Sequence, residues 1–129
     1  MSNFFNVGKK FHGIVFSMPW IKNASAGEKI PPADYDKIRK RLKEYADTRP
    51  WGISRKIQLR FRGQFCYVAN EEADGFLAPL CRLCYMGKNR WSSAFYKYSN
   101  ERYEPCMLPM GSFSGPLEEA FSVCEVYLI

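Results

Sequence analysis

"SRKIQLRFRGQFCYVA", residues 54–69, alternates polar and apolar side chains over most of its length. Lys56, Gln58, Arg60 and Arg62 share one parity and Ile57, Leu59 and Phe61 the other, which is the two-residue period of a half-buried strand. The stretch reads as one long strand, with Gly63 a bulge or bend where the polar parity gives way to Cys66 and Val68. Its basic row is either a binding surface or the wet side of a sheet.

Downstream, the acidic, glycine-containing "NEEADG" reads as a turn into a second strand, "LAPLCRLCYM", in which Pro79 argues for an edge or strand-start position. "GKNR" then turns into "WSSAFYKY", and "YEPCML" offers a fourth strand. Gly115 and Pro116 open a short helix with Glu118 and Glu119 in its first turn, and the β-branched and aromatic "VCEVYLI" reads as a closing strand. Upstream, "PPADYDKIRKRLKEYADT" carries the clearest helix signal: prolines at the entry, Asp34 and Asp36 in the first turn, and Pro50 beyond the exit. Tyr35, Ile38, Leu42, Tyr45 and Ala46 fall on one face of that helix. Before it, residues 1–30 read as irregular, with a possible short strand at "GIVFSM".

The expected architecture is therefore α+β. One amphipathic helix, 31–48, packs on an antiparallel, meander-like sheet of four to five strands within 53–129, with a short second helix before a C-terminal strand. The 129 residues are the size of a single domain, 1–129, and 16% aromatic content places the chain among folded rather than disordered sequences. No apolar run reaches the roughly 18 residues of a membrane span, so no membrane is expected as a partner. Five cysteines, an odd number without a secretory signal, fit reduced thiols in a cytoplasmic protein.

The net charge of +6 is concentrated. Lys29 to Arg62 holds eleven Lys/Arg against four Asp/Glu, a balance of +7 that leaves the rest of the chain at −1. Such a segment attracts a polyanion or an acidic protein partner. On the helix, Asp36 with Lys40, Lys40 with Glu44 and Lys43 with Asp47 are spaced to pair, leaving Lys37, Arg39 and Arg41 uncompensated. "FYKYSNERYEP" adds Tyr96 and Tyr98 on one strand face, and aromatics with Arg and Lys are what stack bases and neutralise phosphates. "RGQFCYV" loosely echoes the aromatic signature strand of sheet-platform RNA-binding folds through Arg62, Gly63, Phe65 and Tyr67, at shifted spacing that reads as coincidence.

Other chemistries find little support. Cys81 and Cys84 have a Cys-x-x-Cys spacing, but the second close pair of a zinc site is missing, and residues three apart on a strand face opposite ways. His12 is the single histidine, and no glycine-rich phosphate loop is present. No metal, no cofactor and no catalytic residue is assigned.

The leading expectation is a small basic binding protein that engages nucleic acid through Lys37, Arg41, Lys56, Arg60, Arg62, Arg82, Tyr96 and Tyr98. The first alternative is a protein-interaction module, an adaptor or inhibitor, with exposed Trp51, Met110 and Phe113 as apolar anchors. The second is a metal-independent ribonuclease using Arg60, Arg62, Tyr96, Tyr98 and Glu101 around a phosphate, on fold-level analogy.

Overall fold

The computed structural model describes residues 27–129. His12, the "GIVFSM" strand and the rest of residues 1–26 lie outside them. A 3-10 turn at Pro32–Asp34 leads into helix α1, Tyr35–Asp47. Strands follow as β1 Ile57–Arg62, β2 Phe65–Glu71, β3 Leu77–Tyr85, β4 Trp91–Lys97 and β5 Arg102–Cys106. Helix α2 spans Leu117–Ser122, and a 3-10 turn, Glu125–Tyr127, closes the chain. The five strands pair in sequence order, all antiparallel, so the sheet is the expected meander and the fold is α+β.

Two local expectations are corrected and a third is narrowed. The 54–69 stretch is a hairpin rather than one strand: Arg62 pairs with Phe65 across a two-residue turn, Gly63–Gln64. Gly63 takes φ +59° at the first central position, the place where a twist-compatible two-residue turn favours glycine. Pro79 is near the start of β3, before its pairing with β4 begins at Cys81, in a strand that is central rather than at the sheet edge. The register slips between Val68 and Ala69, so that Val68 pairs with Cys81 and Ala69 with Pro79, and the bulge accommodates a residue with no N–H to give. The short second helix is present as α2, but the closing strand expected after it is replaced by the 3-10 turn, because Leu117, Ala120, Phe121, Cys124 and Leu128 recur at helical spacing and are all at most 2% exposed.

Both helices cover the same sheet face. Ile38 and Leu42 of α1 are buried with Cys66, Val68, Cys81 and Leu83 of the sheet, and Tyr35 stacks on Phe61 with ring centroids 4.1 Å apart. Tyr45 and Trp51 each place a ring 5.9 Å from Phe121. Trp51 is thus core, 4% exposed, rather than an exposed anchor. Its indole N–H joins the Tyr45 hydroxyl and Arg49 Nε in donating to the buried Glu125 carboxylate, which fastens the chain end to the end of α1. No described helix is long and apolar enough to cross a membrane.

Candidate nucleic-acid interface

Antiparallel register decides which side chains share the second face of the sheet. Phe61 points to the helices, so its neighbours Arg60 and Arg62 point away. Across the hairpin, Arg60 is opposite Tyr67 and Arg62 opposite Phe65; Tyr67 in turn is opposite Arg82. Tyr96 of β4 is opposite Tyr103 of β5. One face therefore carries Arg60, Arg62, Phe65, Tyr67, Arg82, Tyr96 and Tyr103, and no described element covers it.

These side chains interlock. Ring centroids run Phe65 to Tyr67 at 6.0 Å, Tyr67 to Tyr103 at 5.7 Å, Tyr103 to Tyr96 at 5.1 Å and Tyr96 to Tyr98 at 4.8 Å, a continuous aromatic ridge. The Arg82 guanidinium lies 4.6 Å from the Phe65 ring centroid and 5.3 Å from that of Tyr103; Arg60 lies 5.6 Å from that of Tyr67. Among the described residues, neither Arg60 nor Arg82 has a carboxylate within ion-pair distance. Their positive charge is held by aromatic faces, which orient a guanidinium without neutralising it. Burial pushes the phenol of Tyr103 well above its ordinary value and raises that of Tyr96, so both present neutral hydroxyls at physiological pH.

The basic segment does not form one surface. Lys37 and Arg41 are on α1, on the far side of the sheet from Arg60 and Arg82. Lys37 is 3.9 Å from Asp34, and Arg41 is committed to structure: its Nε and Nη2 donate to both oxygens of Glu118 at 3.0 and 2.7 Å, and its Nη1 to Asn89 at 2.8 Å. That contact holds the Glu118 carboxyl below its usual range. Lys56, at the start of β1, is 3.7 Å from Glu71. Tyr98 follows β4 and is tied down, its hydroxyl donating to the Pro79 carbonyl at 2.6 Å.

The residues of the ribonuclease alternative come from separate parts of the sheet: Arg60 and Arg62 from β1, Tyr96 from β4, and Tyr98 and Glu101 from the turn that follows it. Cys81 and Cys84 point apart: Cys81 faces the core, its Sγ 3.4 Å from that of Cys124, and Cys84 faces the other side of β3, and burial raises the thiols of Cys81 and Cys84 above their ordinary range. The described residues hold no cluster of three or more metal-ligating groups. Met110 is 82% and Phe113 37% exposed, both in the loop between β5 and α2, far along the chain from Trp51 and separate from it by burial.

Phe65, Tyr67 and Tyr103 share this face without standing among the expected binding residues, Phe65 and Tyr67 having entered only through the signature echo. Their signal was parity: a two-residue hairpin at Gly63 carries the outward row from Arg60 and Arg62 to Phe65 and Tyr67. Comparison with protein-family models, with curated proteins and with solved structures gives no match.

Proposed function

We propose that the protein is a cytoplasmic single-stranded nucleic-acid binder that uses the sheet face opposite the helices as a stacking platform. The observation that carries this reading is the alternation of guanidinium and ring across four strands: Arg60 of β1, Tyr67 of β2, Arg82 of β3, then Tyr103 of β5. Half-buried rings with fixed orientation offer faces and edges to unpaired bases at low entropic cost, and cations interleaved with them meet the phosphates between. Base stacking of this kind requires bases out of a duplex, since paired bases show a flat sheet only phosphate and groove edges.

Fluorescence titration of labelled single strands and of the matching duplex tests the reading. Single strands should bind tighter, and Tyr67→Leu or Tyr103→Leu should weaken them by about 1–3 kcal/mol while leaving the weaker duplex binding unchanged. Equal or tighter duplex binding would contradict a stacking platform. Loss of all binding specificity for nucleic acid, with capture instead of an acidic protein through Met110 and Phe113, would favour the interaction-module reading.

A further inference from the structure

Along the face of β2 opposite the helices, two-residue steps read Phe65, Tyr67, Ala69, Glu71. The aromatic row thus stops at a methyl group and then a carboxylate. The small Ala69 leaves a pocket of about 630 Å³ lined by Tyr67 and Tyr103, with Gln58, Arg60 and Glu71 as its polar lining. That volume lies within the roughly 300–1,000 Å³ of small-molecule sites. The pocket continues the stacking ridge, because Tyr67 and Tyr103 belong to both.

The lining sets what can enter: the Glu71 carboxylate accepts hydrogen bonds, so beside the Arg60 guanidinium the pocket offers an acceptor to a base presenting donors. Glu71 Oε1 accepts from Gln58 Nε2 at 2.8 Å and is 3.7 Å from Lys56 Nζ; among the described residues, Oε2 has no hydrogen-bond partner. The Gln58 amide retains a second N–H. Of the four common bases, guanine alone has two adjacent donors, N1–H and the 2-amino group, on its Watson–Crick edge, followed by the O6 acceptor. Uracil sets one N–H between two carbonyls, and cytosine and adenine each set an amino group beside a ring-nitrogen acceptor that would oppose the carboxylate.

We propose that this pocket takes one guanine base of the bound single strand, Glu71 accepting from N1–H and the 2-amino group, Gln58 donating to O6, and Tyr67 and Tyr103 flanking the ring. The assignment rests on the platform reading and adds a base preference to it.

The test is fluorescence anisotropy with three labelled oligomers: oligouridylate, the same strand with one guanosine, and the same strand with inosine in its place, which lacks the 2-amino group. Guanosine should tighten binding about tenfold, in line with a bidentate base contact, and inosine should lose part of that gain. Glu71→Gln should abolish the guanosine advantage without weakening oligouridylate. The inosine comparison uses the unaltered protein and stands even if the variant misfolds. Equal affinity for the guanosine and all-uridine strands would overturn the guanine assignment and leave the platform intact, as would a guanosine advantage that survives Glu71→Gln. Absence of binding to any of the three would overturn both.

Discussion

Glu125 illustrates how a single carboxylate settles the end of this chain. It is 7% exposed and accepts from Arg49 Nε at 3.0 Å, from Trp51 Nε1 at 3.2 Å and from the Tyr45 hydroxyl. Burial first, and then the bond to Glu125, push the Tyr45 phenol up to about 12 from its ordinary 10.0. A proton held more tightly in the folded state stabilises the fold below pH 10 and is lost as pH rises through 12. Urea midpoints measured against pH should therefore fall across that window, and Tyr45→Phe should flatten part of the fall while costing about 1 kcal/mol at neutral pH. An alkaline profile identical in the variant would show that Tyr45 does not carry this linkage. Trp51 belongs to the same network, which is why it could not be placed from sequence: an aromatic beside Gly and Pro reads as exposed until the acceptor for its indole N–H, 74 positions away, is known.

Two turns show what glycine does here and what pattern reading could reach. At Gly52 a Cβ would meet the Ala46 carbonyl oxygen at 2.0 Å, because the segment after α1 folds tightly back on the helix end. At Gly63 a Cβ would meet nothing within 4 Å, and only the positive φ resists substitution. Gly52→Ala should cost about 2 kcal/mol or more and Gly63→Ala about 1–2 kcal/mol in urea unfolding, the first by collision and the second by backbone strain. The reverse order would contradict the account of both turns. The apolar face of helix α1 was legible, since Tyr35, Ile38, Leu42, Tyr45 and Ala46 all turn to the core as their spacing requires, whereas Asp36 pairs with Arg39 rather than with Lys40. The hairpin at Gly63 was not, because a two-residue turn preserves local alternation on both sides, and a lone glycine in such a run fits a bulge as well as a turn. The C-terminal segment failed for another reason: β-branched and aromatic residues there pack helical turns against the sheet, and tertiary burial outweighs strand propensity.

At the level of the molecule, the two layers divide the basic segment that is continuous in sequence. The cations of α1 lie beyond one face, where Arg41 braces α2 through Glu118, and those of β1 and β3 lie on the other, held over rings. Charge counting located the segment but not this partition, since it depends on which strand face the helix covers. Strand order follows chain order, and side chains of the second face still meet across it: the Tyr103 ring of β5 lies 5.3 Å from the Arg82 guanidinium of β3 and 5.7 Å from the Tyr67 ring of β2. The central claim is that the sheet face, not the helix, meets the phosphates. Its most direct measurement is the salt dependence of single-stranded RNA binding for the unaltered protein, for Arg60→Ala with Arg82→Ala, and for Lys37→Ala with Lys40→Ala. The sheet pair should lower the slope of log affinity against log salt by about 1.4, from about 0.7 for each phosphate contact on a single strand, and the helix pair should leave it unchanged. A slope that falls with the helix pair and holds with the sheet pair would place the contact on the wrong side of the molecule for this account.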